Sequence, residues 1–418
     1  MHNKKSPFKK QIFLFFALCF FGNAKQLPLA PEILASPATS KEAAESLNKN
    51  AQKDAGAKEE ISTSISQGST TPSILRKDPK RPYRLLYGMN FDFFLDNTEE
   101  SQAYWPTRTL FAGSIKPEIG IEFYNQKLLF GGYFIQNMGE KFPSKGGITF
   151  SYSFEHNAWK GYFGIFPKKY WIGKYSKLFY RKDFLFFNPM SSGILFQYDP
   201  KDQNLQAELL FDWYGGNLAK RLDEFLVQGY LNKNFFDKVF YLGGSFLLNH
   251  FKNDEFLSLD GSHGDTYLLD RLYYEAYVGI NLESYTKVLD ALNLKLSALG
   301  SIERKRRLSR GNDPFSNLWG SQVQLITQYK GFGVDNRFYA GKSQMLYFSQ
   351  YGENFYSGLP FYRSPLYDRL ELYYEYKNDY FTGRFSFITH FTQKTTGWQQ
   401  MLTISLNTHK LFDKLFGK

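Results

Sequence analysis

From Tyr83 to Phe412 the chain alternates apolar and polar residues with a period of two, stretch after stretch, with no long helical segment between the copies. Leu402, Ile404 and Leu406, interleaved with Thr403, Ser405 and Asn407, show the pattern plainly. In extended backbone successive side chains point to opposite faces, so such a stretch has one apolar face and one face of small polar groups. Tyr83, Leu85, Tyr87, Met89, Phe91 and Phe93 make the same apolar face in a first strand, and Phe111, Gly113, Ile115, Ile119, Ile121 and Phe123 in a second. A strand with two different solvents, repeated over roughly 330 residues, predicts a sheet closed on itself, apolar outside and polar inside.

Composition agrees. Among 418 residues there are 30 Tyr and 43 Phe, yet the mean hydropathy is −0.43. Beyond the N-terminus no stretch approaches the roughly 18 consecutive apolar residues of a membrane helix, which excludes a helical membrane protein. A β-strand crosses a bilayer with about 9 to 11 residues, half of them polar, and so escapes hydropathy analysis.

Residues 1–24 read as a signal peptide: Lys4, Lys5, Lys9 and Lys10 are its basic region, Ile12 to Phe21 its apolar core, and Gly22-Asn23-Ala24 its small-x-small cleavage site. The one cysteine, Cys19, lies in that core. Bulky Leu18 before it and the apolar run beyond it argue against lipid modification, and the mature chain has no thiol for disulfides, catalysis or metal. The precursor's net charge of +11 loses the four signal lysines on processing, and what remains is scattered rather than gathered in a block. That distribution fits loop solvation and gives no nucleic-acid motif.

Residues 25–82 carry no aromatic before Tyr83 and are rich in Ala, Ser, Lys, Glu, Gln and Pro. They cannot bury enough surface to fold alone and read as a disordered periplasmic extension. Residues 83–412 form the barrel and 413–418 a short tail. The fold class expected is all-β: a transmembrane, antiparallel, up-and-down β-barrel of about sixteen strands, an even number within the bacterial range. Short turns near Asn125, Asn157, Pro200, Lys233, Gly331 and Asn378 alternate with long connections at 168–192, 251–265, 304–316 and 342–367. With a periplasmic N-terminus the long ones are extracellular. Trp159, Trp213, Trp319 and Trp398 fall near strand ends, where interface girdles are expected.

Parity assigns the inner face. It should carry Lys116, Glu118 and Glu122 on the second strand, Arg271 and Glu275 on the tenth, Arg369, Glu371 and Glu375 on the fourteenth, and Arg384 and His390 on the fifteenth. Confinement of charge to one parity predicts a watery interior. Both a transverse field and cross-strand salt bridges explain this wall.

The connection 168–192 carries Lys168, Lys169, Lys174, Lys177, Arg181 and Lys182 against one acid, Asp183, among eight aromatic residues. So aromatic a segment should not stand free in water. Folded inward it would narrow the pore and favour anions; capping the outside is the competing arrangement. A second aromatic connection, 342–367, either packs on itself or offers rings for sugar stacking. No nucleophile elbow, phosphate loop or zinc-binding motif occurs, so neither an enzyme nor a cofactor is expected. His390 beside a lumen serine, as in an outer-membrane lipase, is a minor alternative.

In architecture the stretch from Tyr83 to Phe412 resembles bacterial outer-membrane porin-like barrels, with 168–192 standing between strands five and six as the porin constriction loop does. Its Phe- and Tyr-rich style is also similar to the Hof-type outer-membrane proteins. One departure stands out: the family's terminal aromatic assembly signal should be the last residue, whereas Phe412 is followed by Asp413 to Lys418. The resemblance implies a bacterial outer-membrane location and passive diffusion of small hydrophilic solutes, with an anion bias as the finer expectation. Its implied partners are outer-membrane lipid, the solutes and the barrel-assembly machinery, with homo-oligomers an option and nucleic acid none. An adhesin or structural barrel, whose loops bind a partner, is the alternative.

Overall fold

The structure, a computed structural model, describes residues 73–74, 83–100, 103–217, 222–253, 267–286, 288–307 and 311–407. The signal peptide, the 25–82 extension apart from Ser73–Ile74, Phe412 and the 413–418 tail lie outside the described residues.

Sixteen long strands follow one another: β1 Tyr83–Glu99, β2 Arg108–Phe123, β3 Gln126–Asn137, β4 Lys145–His156, β5 Trp159–Pro167, β6 Met190–Tyr198, β7 Leu205–Asn217 and β8 Leu222–Phe235. The second half is β9 Phe240–Asn253, β10 Tyr267–Asn281, β11 Ala291–Arg307, β12 Ser316–Tyr329, β13 Phe332–Gly341, β14 Leu366–Lys377, β15 Phe381–Thr392 and β16 Thr396–Asn407. Each pairs antiparallel with its sequence neighbours. β16 returns to β1, with Trp398 opposite Glu99 and Asn407 opposite Asn90, and the sheet closes. Closure is obligatory in lipid, where an unpaired strand edge has no water to satisfy it. Below Asn90 the described part of β16 has ended, and Ser73–Ile74 pairs there with Leu86 and Tyr87. Those two residues are the part of the 25–82 segment that the structure describes.

Most strand assignments from alternation agree with the structure, but β8 runs on to Phe235, so Lys233 lies within a strand and the turn is 236–239. Alternation cannot mark that end, because the polar run Asn232-Lys233-Asn234 reads as a turn while its backbone still pairs with β9. At one of the two-residue turns, Lys330 (φ 49°) and Gly331 (φ 84°) both take left-handed conformations. That is the two-residue hairpin whose twist matches its strands, and glycine reaches it without strain.

The two faces separate as parity predicts. Directly paired residues share a face, and the outward rows hold Leu402, Leu95 and Phe111, then Ile404, Phe93 and Gly113. Large apolar residues such as Ile119, Phe130, Leu209, Leu296 and Phe385 stay exposed all round the outside, as do Trp159, Trp213, Trp319 and Trp398 near the strand ends. No water-soluble protein leaves so continuous an apolar belt uncovered; a bilayer covers it. An arginine at mid-depth of that belt costs about 2–4 kcal/mol. Leu402→Arg is therefore expected to lower the unfolding free energy of the vesicle-inserted barrel by about that amount in urea titration, and unchanged stability would place Leu402 off the lipid face.

Candidate functional site: two loops folded across the barrel

The 168–189 connection, between β5 and β6, does not stand outside the barrel. It begins with a turn of 3-10 helix, Lys168–Tyr170, and ends with helix α1, Lys182–Phe187. Its first half is tied to the walls beside it. The Tyr175 hydroxyl donates to Glu208 Oε1 (2.7 Å), the Ile172 backbone N–H to Glu208 Oε2 (2.6 Å), and the Tyr180 hydroxyl to Gln228 Oε1 (2.6 Å). Farther round the wall, Phe179 stacks on Tyr273 of β10, ring centres 5.5 Å apart. The second half reaches the far side, where Phe186 stacks on Phe94 of β1 at 5.0 Å. In a ring of sixteen strands β1 and β10 stand nearly opposite, so the segment spans the interior.

The 342–365 connection between β13 and β14 fills the rest of one side. It contains helix α2, Phe348–Phe355, and a 3-10 turn, Pro360–Arg363. Arg271 donates to the Phe355 carbonyl (2.8 Å) and lies 4.2 Å from the Phe355 ring centre. The Tyr356 hydroxyl donates to Glu303 (2.6 Å) and that of Tyr362 to Gln322 (2.5 Å). Phe361 stacks on His390 at 4.1 Å. The rings of Tyr351, Phe355, Tyr356, Phe361 and Tyr362 are all buried, so they are not offered to sugars or partners outside. His390 is held between the Tyr367 hydroxyl (2.7 Å) and Gln399 (3.3 Å).

The two segments interlock through backbone. Arg181 N–H donates to the Ser357 carbonyl (2.8 Å), Leu359 N–H to that of Lys177 (2.9 Å), and the Ser357 hydroxyl to that of Phe179 (2.7 Å). A side chain at Gly358 would strike the Leu178 carbonyl, so only glycine permits this approach. Charge then locks the pair. Arg181 Nε donates to Asp183 (2.9 Å) and its Nη1 to the Tyr356 carbonyl (2.7 Å), while Nη2 lies 3.3 Å from Glu353. Arg108, at the start of β2, bridges Asp183 (2.6 Å) and Glu353 (3.0 Å).

The six basic residues of 168–189 therefore have different fates. Lys168 is fully buried, donating to the Tyr214 hydroxyl (3.2 Å) near Asp212 (3.9 Å). Lys177 and Arg181 are buried, Lys169 and Lys182 half-buried and Lys174 exposed. Lys169 acts electrostatically on Asp92 of β1, and Lys182 on Glu371 of β14. No local signal in the sequence reveals that Asp212, Tyr214 and Glu353 answer these charges, for they lie on another strand and on the second connection.

On the inner wall, neighbouring strands pair charge with charge. Lys116 meets Asp92 (2.6 Å), Lys295 meets Glu275 (3.0 Å), and Arg84 meets Glu122. Glu371 receives Arg369 (2.7 Å) and Arg384 (2.8 Å), and Arg384 also reaches Glu375 (3.3 Å). Glu118 shares this face of β2 with Lys116 and Glu122. Burial is uneven: Arg271, Glu275, Arg369, Glu371, Glu375, Arg384 and His390 are buried, whereas Lys116, Glu118 and Glu122 on β2 are only half-buried.

Burial pushes the Asp183 carboxyl up, but the Arg181 and Arg108 guanidiniums outweigh it and hold it below the ordinary carboxylate range. A depressed carboxylate contributes stability that is complete above its unfolded value, near 4, and fades only as pH falls through the lower folded one. The lock should thus persist through neutral and mildly acidic pH. Asp183→Asn removes one of the two carboxylates that Arg181 and Arg108 share and leaves them Glu353, so the loss should fall below the value of about 3–5 kcal/mol for a fully broken buried pair. Trypsin is expected to spare Arg181 and Lys182 in the parent barrel and to cut there in the variant; equal resistance would show that the lock does not hold the segment.

No protein-family model matches the chain, and no curated protein matches it. Among solved structures it is similar to OpdK of Pseudomonas aeruginosa at 10% identity, covering 77% of this chain and 97% of that one with a TM-score of 0.37. It is similar to OprB of Pseudomonas putida at 10% identity, covering 77% and 94% with a TM-score of 0.35. For a mutant of the Rh. blastica porin the values are 9% identity, 77% and 100% coverage, and a TM-score of 0.38. Independently of these likenesses, a closed antiparallel sheet of sixteen strands, apolar round its outside and charged within, makes this chain a transmembrane β-barrel of the bacterial outer membrane.

Proposed function

We propose that the barrel is a porin-like channel for passive diffusion of small hydrophilic solutes, with 168–189 setting its aperture. The observation that carries this reading is the crossing of that segment from Phe179 at β10 to Phe186 at β1. A cap would leave the interior unobstructed, whereas a crossing segment divides it. Aromatic packing occupies the side of β5 to β14, where Leu210, Tyr230, Leu247, Tyr273, Leu299 and Tyr339 are buried together. Phe186 packs with Phe94, Tyr133 and Ile135 on the other side, and water and solute pass there beside the half-buried Asp92, Lys116, Glu118 and Glu122 of β1 and β2. The Hof-type part of the resemblance rests on aromatic richness alone, and insertion by the barrel-assembly machinery and homo-oligomer formation belong to the same reading.

The anion bias is its finer part. Lys168, Lys177 and Arg181 are buried and contribute little field to a water path. Lys169 faces that path through its interaction with Asp92, and Lys174 and Lys182 keep partial exposure. Any bias therefore rests mainly on Lys169 against the mixed charges of β1 and β2.

Planar-bilayer recording tests both parts. The purified barrel should conduct, and shortening 168–189 should raise the single-channel conductance. Lys169→Glu should move the reversal potential toward cation preference. No conductance would remove the channel; cation selectivity in the parent, or an unmoved potential in the variant, would remove the bias.

A further inference from the structure

One outward-facing row crosses five strands near the rim that carries the long connections: Trp213 (β7), Phe225 (β8), His250 (β9), Asp270 (β10) and Arg304 (β11). The outward row beneath it is Phe211, Val227, Leu248, Leu272 and Ile302, without a polar side chain. Hydrocarbon thus gives way to charge within two residues, about 7 Å along the strand. Arg306, Leu268 and Lys252 hold the next outward positions above, with Lys252 opposite Asp223 in the backbone register.

Asp270 organises the group. Its Oδ2 lies 3.1 Å from Arg304 Nε and 2.8 Å from Arg306 Nε. Its Oδ1 accepts from Arg306 Nη2 at 2.9 Å and lies 3.1 Å from His250 Nδ1. One carboxylate fixes two guanidiniums side by side and leaves the set positive. Arg304 also rests on the Phe315 ring, 4.1 Å from its centre. Trp213, Phe225 and His250 stack in series beside it, at 6.2 Å and 4.9 Å. On the opposite wall the outward positions directly above the apolar belt are Asn97, Thr109 and Gln400, all uncharged.

Charge facing outward from a barrel is tolerated at the interface and costly at mid-depth, so this row stands at headgroup level. There the anionic groups of a lipid are phosphates, and the planar fork of a guanidinium matches them. We propose that Arg304 and Arg306, positioned by Asp270 and flanked by the Trp213-Phe225-His250 stack, bind the phosphate of an outer-leaflet glycolipid headgroup. The site uses the outer face of the wall, and its lipid would sit against β7 to β11 without entering the lumen.

Native mass spectrometry of the full-length barrel in detergent, titrated with bisphosphorylated lipid A, dephosphorylated lipid A and inorganic phosphate, tests this. The bisphosphorylated lipid should bind. The Arg304→Gln, Arg306→Gln double variant should weaken it about tenfold or more, because two charge-assisted bonds are lost, while Asn97→Gln should change nothing. Equal binding of the dephosphorylated lipid, or unchanged binding by the double variant, overturns the proposal. Displacement by inorganic phosphate at the lipid's own concentration overturns lipid as the source of the phosphate. The comparison of the two lipids uses the parent protein, so it decides the matter even where the double variant fails to fold, and conductance enters none of these readings.

Discussion

Every feature of this barrel depends on the pairing of β16 with β1. In hydrocarbon an unpaired N–H or C=O has no partner to turn to, so a sheet in lipid either closes or does not persist. Closure fixes a ring of sixteen strands, and the ring fixes the facing of each side chain. Leu402 and Leu95 share the outside because their backbones are paired; Arg84 and Glu122 share the inside for the same reason. The two residues Ser73–Ile74 extend this logic to the lower part of β1, where the described part of β16 no longer reaches.

A ring of this size leaves an interior too wide for the wall side chains alone to fill. Here the filling comes from two connections rich in Phe and Tyr. Their rings escape water by packing on one another and on wall residues such as Tyr273 and Phe94, and the phenols of Tyr175, Tyr180, Tyr356 and Tyr362 donate to wall residues. Burial pushes the Tyr175 and Tyr356 hydroxyls well above their ordinary value, so they serve as donors to Glu208 and Glu303. The basic residues carried inward by the same segment cannot remain unpaired in such a setting. Lys168 therefore goes to Tyr214 and Asp212, and Arg181 to Asp183 and Glu353.

The alternation of single strands made the fold and the facing of residues legible. Lys116, Glu118, Arg271, Glu371 and Arg384 could be placed on one face from parity alone, since a period of two leaves no other choice. The aromatic content of 168–189 also made its burial legible. Its effective charge was not. Six basic residues against one acid read as a positive surface, but charge is a property of neighbourhood, and the neighbours Asp212 and Glu353 come from distant parts of the chain. The same holds for the outer row from Trp213 to Arg304, whose members are far apart in sequence and become one surface only through the register of five strands.

By itself the sequence determined that the chain is a closed antiparallel barrel with an apolar exterior, because strand periodicity is a local property. Only the tertiary structure decided that 168–189 spans the interior, that 342–365 interlocks with it at Gly358, and which charges are neutralised. These outcomes depend on contacts between residues about 175 positions apart, such as Arg181 with Tyr356, and no local pattern carries a contact of that separation.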